Sequence, residues 1–446
     1  MKLTRKKSFV KLCQIYFKNI WSLLLKISSL APHKRYNIFA GTSSFYEWAT
    51  ALKLWLGSTD YQDVDIIKEY EQKFAMATNS KFAFSFGSGR MALFALLEVM
   101  KIGKGDEIII SPFTCVVVPN ALIYRSIKPI YVDISLSDFN MDVEKVEKLI
   151  TNNTKAIYVQ NTFGVPANLQ KVREIATKYN LLIIEDAAHS LGSIPHSQSS
   201  FDLADATFYS TDHSKTINTY LGGVVTTNKE KYATALRNYQ SITPFLPRAS
   251  IRAILRSYLL EWLYFSPYCL WIGRYLHALL KKFKYIYSFN DELLVVKPTD
   301  YPYPCRLSAP QAALGIMQLE KLHVNIEHRR SIARLLENEI NYYGFDHREI
   351  DSVSWIRYSF LVKDRAAFIN RFKRQFDLGI WFTSIFEGRA RDFDELQYVA
   401  GSCPNAEFAA VHVVNFPTHQ RIPSGLVALQ MNKKKLWLKT QLIKKI

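Results

Sequence analysis

Long hydrophobic runs free of charge are missing from this 446-residue chain. Its apolar N-terminal stretch, SFVKLCQIYFKNIWSLLLKISSL at 8–30, is cut by Lys11, Lys18 and Lys26. Those lysines exclude a spanning helix and the apolar core of a secretory signal there. Cysteine is scarce too: Cys13, Cys115, Cys269, Cys305 and Cys403 stand singly, with no CxxC pair. Their scatter argues against a disulfide framework or a structural metal site, and for a reducing compartment. Internal repeats and low-complexity tracts are absent. Charged residues make up only 22%, against 48% hydrophobic residues, which excludes a disordered chain and allows a large core in two domains.

Acidic residues are the remaining shortage, with 39 Asp and Glu against 57 Lys and Arg and a net charge of +18. The deficit is local. Residues 1–35 hold nine Lys/Arg and no acid, 247–289 hold seven against one, and 431–446 hold six against none. Between these segments the chain is slightly acidic. In the first, Phe9, Leu12, Tyr16, Phe17, Ile20, Leu24 and Ile27 recur at helical spacing opposite a stripe of Lys11, Lys18 and Lys26. That pattern predicts an amphipathic helix suited to an anionic bilayer surface, or to docking on the protein's own core or a second subunit. The second, RSYLLEWLYFSPYCLWIGRYLHALLKKFKY at 256–285, breaks at Ser266-Pro267. It fits an in-plane or re-entrant helical hairpin, or equally an internal helical pair covering a core. The third, MNKKKLWLKTQLIKKI, repeats the Lys-plus-aliphatic theme. Three basic clusters together would give peripheral attachment to an anionic surface. Nucleic acid is not an expected partner, because these segments carry long aliphatic rather than base-reading side chains.

The body of the chain alternates short apolar runs (EIIIS, KPIYVDI, KAIYVQ, LLIIED, ATFYS, GGVVTT) with helical patterns such as MALFALLEVM and LQKVREIATKY. This predicts a mostly parallel sheet flanked by helices, whose ligands bind at the carboxyl ends of the strands. Three features fall at such ends. Gly87-Ser88-Gly89 leads straight into a helix, whose N-terminus can hold an anion. Asp186 closes the LLIIED run, and Lys215 sits in the hydroxyl-rich TFYSTDHSKTINTYLGG. Separately these are an ordinary helix start, a cap and a surface lysine. Together they are the phosphate cradle, the acid for a pyridine nitrogen and the amine for an aldehyde that pyridoxal 5′-phosphate requires.

At these residues the chain resembles the DegT/StrS-type sugar aminotransferases. The resemblance spans roughly residues 66–240 and 303–425, through SGRMAL, GDEIIISPFTCVVVPNALI, EDAAHSLGS, YSTDHSK, CRLSAPQAALGIMQLEKL and CPNAEFAAVHVVNFPTH. It implies an α/β chain of the type I pyridoxal-phosphate transferase fold, with a mostly parallel central sheet and a smaller C-terminal α/β domain. Carried over by position, Lys215 would form the Schiff base and later move the proton, Asp186 would pair with the pyridine nitrogen, and His189 would lie beside the ring. Ser88, Gly89 and Ser210 would hold the phosphate. Three positions depart from the family pattern. Cys115 stands where a ring-stacking aromatic is usual, Arg90 replaces a threonine of the phosphate loop, and Pro304 replaces an asparagine that reaches a neighbouring subunit. Arg90 is expected to compensate for the lost phosphate contacts, with Cys115 lining the ring site.

The expected organisation is a basic amphipathic region (1–45), a large cofactor-binding domain (46–245), an apolar and basic helical insertion (246–295), a small domain (296–425) and a basic tail (426–446). The resemblance implies transfer of an amino group, with glutamate as donor, to a nucleotide- or lipid-linked ketosugar in surface-polysaccharide or glycoconjugate synthesis. It also implies a homodimer. The basic segments add a cytoplasmic location, peripheral on the inner face of the membrane. Two rivals stand beside this reading. One is a pyridoxal-phosphate sugar dehydratase, in which histidine replaces the lysine; the other is a non-catalytic membrane-associated scaffold that retains the fold.

Overall fold

The computed structural model describes residues 34–39, 41–57, 59–194, 202–289, 295–379, 381–389 and 392–443. The amphipathic helix expected within 8–30 lies outside them. Among the described residues there are eleven strands: β1 (Phe82–Phe86), β2 (Glu107–Ile110), β3 (Thr114–Cys115), β4 (Lys128–Tyr131), β5 (Thr154–Gln160), β6 (Leu182–Asp186), β7 (Ala206–Ser210), β8 (Gly223–Thr227), β9 (Arg357–Leu361), β10 (Phe386–Glu387) and β11 (Val413–Pro417).

Seven of them form one sheet in the order β1-β8-β7-β6-β5-β2-β4. The pairs from β7 through β6, β5 and β2 to β4 are parallel, and only β8 runs against its neighbours β1 and β7. Ile108–Ile110, Ile157–Val159 and Ile183–Ile184 are buried, as a sheet covered on both faces requires. One cover is the helix Gly89–Val99, which is buried from Gly89 to Leu97. A helix apolar nearly all round has no solvent face to offer, so it packs inside.

This topology brings five chain ends to one edge. Strands β1, β5, β6 and β7 finish there at Phe86, Gln160, Asp186 and Ser210, and antiparallel β8 starts there at Gly223, in register with both Phe86 and Ser210. The residues after β1 are Gly87, Ser88 and Gly89, so the buried helix opens at the same edge.

A second, aromatic-rich core holds Trp355, Tyr358, Phe360, Phe368, Phe372, Phe376 and Phe416 around the antiparallel pair β9–β11. The helix Ser424–Gln441 belongs to it through Val427, Met431 and Leu438, so the basic C-terminal segment is anchored by its apolar face. Short parallel pairing of β3 with β10 ties the two halves together: Thr114 N–H donates to Ile385 O at 3.1 Å and Val116 N–H to Glu387 O at 2.9 Å.

The insertion forms two helices, Arg248–Tyr264 and Leu270–Lys282. Of the alternatives posed by its sequence, the first helix follows the internal one. Ile251, Ile254, Leu255 and Tyr258 are buried, and Trp48 donates Nε1–H to Leu259 O at 3.2 Å from the neighbouring helix Phe45–Leu56. The second helix crosses it closely at Gly273, where a Cβ would meet Tyr264 O at 1.8 Å. It leaves Tyr275, Leu276, Leu279 and Phe283 exposed. Among the described residues, no helix is long and apolar enough to cross a membrane.

Candidate active site

One cavity at the strand-end edge is lined by Ser88, Gly89, Arg90, Cys115, Asp186, His189, Ser210 and Lys215. The structure thus brings together all eight residues singled out in the sequence. It adds Thr114, Gln160, Ser214 and Trp381 to the walls.

Each group is held by the local chain. Ser88 caps the buried helix, its Oγ accepting from Met91 N–H at 3.3 Å, and since first-turn amides find no carbonyl within their own helix, that of Gly89 is placed to meet an anion. The backbones close in tightly here. A Cβ on Gly223 would meet Ser88 O at 2.3 Å, and one on Gly89 would meet Ser210 Cβ at 2.9 Å. Only glycine permits this approach of amides to an anion. Arg90 is buried rather than solvent-facing, with its guanidinium 5.2 Å from the centre of the Phe289 ring.

Lys215 sits in the connection between antiparallel β7 and β8. Its hydroxyls close that loop: Thr211 and Thr219 Oγ1 lie 2.7 Å apart, and Gly222 leaves them room, since a Cβ there would meet Thr211 Oγ1 at 2.3 Å. The Lys215 carbonyl accepts from Thr42 Oγ1 at 2.9 Å. Burial, reinforced by the charge of Arg357, pulls the Lys215 amine down to about 8; Asp212 and Asp186 oppose the shift. Asp186 is buried and accepts from Tyr158 Oη–H and, at 2.8 Å, from Ala188 N–H. Desolvation raises its pKa, while those hydrogen bonds and Lys215 act in the opposite direction.

His189 Nδ1 accepts from Phe163 N–H at 3.3 Å, and its ring stacks on Phe163. Burial first, then Lys215 and Arg357, hold its pKa well below the usual value. The imidazole is therefore neutral, with its proton on Nε2. Gln160, in register with Asp186, is engaged by Thr114 Oγ1 at 2.6 Å and donates to Phe113 O at 3.0 Å.

Cys115 lines the cavity but offers no ring. Phe208 and Trp381 are the aromatic rings on the walls beside the His189 imidazole, and the Trp381 centroid lies 5.7 Å from Lys215 Nζ and 4.2 Å from Arg357 Cζ. The Trp381 backbone N–H is fixed by Asn415 Oδ1 at 2.7 Å, so this ring is positioned from β11 of the second half. Sequence reasoning did not single out Trp381, Tyr158 or Gln160. A polar residue closing the KAIYVQ run was a usable signal for Gln160. Tyr158 had none, because its role depends on strand register.

A lysine amine, a buried carboxylate and an anion-binding helix start in one cavity fit pyridoxal phosphate. Asp186 suits a positively charged ring nitrogen, Lys215 an aldehyde, and Ser88, Gly89, Arg90 and Ser210 a phosphate. Among the described residues no cluster of metal-ligating side chains occurs.

Residues 47–244 and 288–428 match the model of the DegT/DnrJ/EryC1/StrS aminotransferase family. The GDP-perosamine synthase of Caulobacter vibrioides is 36% identical over 171 residues, 38% of this chain and 46% of that protein. The UDP-2-acetamido-2-deoxy-3-oxo-D-glucuronate aminotransferase of Pseudomonas aeruginosa is 34% identical over 172 residues, 38% of this chain and 48% of that protein. The chain thus spans about half the length of these curated relatives. Among solved structures, the Escherichia coli GDP-4-keto-6-deoxy-D-mannose-3-dehydratase with bound hydrated pyridoxal phosphate superposes with a TM-score of 0.68 at 20% identity. The match covers 90% of this chain and 99% of that one.

Proposed function

The chain belongs to the DegT/DnrJ/EryC1/StrS aminotransferase family, and from that premise we propose that it transfers an amino group from glutamate to a nucleotide- or lipid-linked ketosugar. The observation that carries this reading is the shared burial of Lys215 and Asp186 in one cavity with the Ser88–Gly89 helix start. When bound there, pyridoxal phosphate supplies the electron sink that makes an amino group exchangeable. The chain's own residues do the rest. With its amine at about 8, Lys215 keeps an appreciable unprotonated fraction near neutral pH, so it can carry a proton to and from Nζ within the cavity. Asp186, oriented by Tyr158 and Ala188, presents a carboxylate that stabilises a cation on the ring side. Neutral His189 offers an Nε2–H donor, and Trp381 walls the cavity on the lysine side. Lys215, where sugar dehydratases carry histidine, favours transamination over dehydration.

Exposed Tyr275, Leu276, Leu279 and Phe283 beside Arg274, Lys281 and Lys282 support a peripheral position on an anionic membrane surface. The homodimer is proposed on the family resemblance.

Absorbance of the reconstituted protein is expected to shift when glutamate is added. Mass spectrometry should then find an aminated product among a panel of nucleotide- and lipid-linked ketosugars. A protein that takes up no cofactor would overturn the reading. Co-sedimentation with phosphatidylserine vesicles tests the membrane position, and its absence at low salt would remove it.

A further inference from the structure

Two arginines are buried near the cavity on opposite terms. Arg329 is 2% exposed and satisfied: it donates to Asn325 Oδ1 at 2.9 Å, Ile356 O at 3.1 Å, and Thr418 Oγ1 and Thr42 Oγ1 at 3.2 Å each. Arg357, the first residue of β9, is 1% exposed, and its Nε, Nη1 and Nη2 have no hydrogen-bond partner among the described residues. Glu387 is the acid that acts on it electrostatically, but Glu387 Oε2 is taken by Thr383 N–H at 2.7 Å. A guanidinium brought out of water without hydrogen bonds is among the costliest arrangements a fold can keep. Its planar fork is matched by a carboxylate, which accepts two parallel hydrogen bonds.

Position decides where that carboxylate comes from. Arg357 stacks on Trp381, and Lys215 Nζ lies over the same indole, which lines the cavity. In an α-amino acid the carboxylate and the reacting amino group share one carbon, so a group that binds the carboxylate must lie close to the lysine. The phosphate cradle at Ser88, Gly89 and Ser210 is built on the large sheet's edge, not on β9. An anionic group on a sugar carrier is many bonds from the carbon that receives the amino group.

We infer that Arg357 binds the carboxylate of the amino-acid donor, with Trp381 holding its guanidinium in plane. This rests on the transamination reading above. The test uses the full-length protein reconstituted with pyridoxal phosphate, as wild type, R357Q and R357K. Titration with glutamate, followed by cofactor absorbance, is expected to show donor affinity weakened on the order of 100-fold in R357Q and about tenfold in R357K. With benzylamine, an amine donor without a carboxylate, the loss in both variants should be far smaller than with glutamate, measured at alkaline pH where Lys215 is unprotonated in all three. Calorimetric titration with glutarate, which binds but cannot react, should give binding in wild type and none in R357Q. Ketosugar affinity should not change. A cooperative melting transition and full cofactor uptake at alkaline pH establish that R357Q is folded; should it fail there, R357K with glutarate and benzylamine decides. Unchanged glutamate and glutarate affinity in the variants, or a loss confined to the ketosugar, overturns the assignment. Failure of the transamination reading looks different: wild type itself binds cofactor yet responds to no amino acid. Absence of glutarate binding by wild type would also sink the role given to Arg357.

Discussion

The cavity wall built on the seven-stranded sheet ends in side chains that already have partners, whereas behind Trp381, on the β9 side, sits a guanidinium that has no hydrogen bond among the described residues. Asp186 is engaged by Tyr158 and Ala188, Gln160 by Thr114 and Phe113, and Ser88 by its own helix. Arg357 stacks on the face of Trp381 and feels the opposed charges of Glu387 and Arg329, with no hydrogen bond to its guanidinium among the described residues. A wall whose side chains are oriented by the fold before anything binds suits a resident group held permanently. A wall that is incomplete suits a molecule that comes and goes, because the unpaired charge is satisfied only in the complex.

The harshest way to break the first wall is Lys215→Ala, expected to lower turnover on the order of 10⁴-fold and to abolish the glutamate-induced absorbance change. Next comes Asp186→Ala, expected to cost on the order of 100-fold in turnover together with weaker cofactor retention on dialysis. Contrast between the two arginines is sharpened by Arg329→Met, which leaves Asn325, Thr42, Thr418 and the Ile356 carbonyl without their donor. Urea denaturation should show a loss of about 3 kcal/mol there, far more than for R357Q. A pH experiment tests the coupling between walls. The Lys215 amine, lowered to about 8, accepts an aldehyde only when unprotonated, so cofactor uptake by the apoprotein should rise with pH through about 8. Removing the Arg357 charge in R357Q should move that midpoint upward, toward the ordinary lysine value. By linkage, burial of the neutral amine makes the apoprotein gain stability as pH rises from about 8 toward 10.5, since the unfolded chain binds the extra proton. Tyr158→Phe should have the smallest effect, about tenfold or less in turnover, because Ala188 still orients the carboxylate.

Much of the first wall was legible in the chain because its signals are local. Gly-Ser-Gly before an apolar helix, an acid closing a β-branched run, and a lysine among hydroxyls each lie within a few residues of the element that positions them. Arg90 marks the limit of such reading. The sequence places it on the first turn beside the cradle, but its burial comes from the whole helix lying inside and from Phe289, near the end of the insertion, packing over it. The insertion makes the same point, since its apolar residues divide between an internal helix and one with an exposed apolar side.

Alternation of strand and helix, the placement of Asp186 and Lys215 at strand ends, and the basic segments follow from the order of residues alone, because periodicity and strand termination act over short distances. Register of Tyr158 against β6, closure of Trp381 over the lysine, and the difference between Arg329 and Arg357 exist only once the two halves pack. Whether a buried charge has a partner depends on neighbours in space, and those neighbours lie tens to hundreds of positions away along the chain.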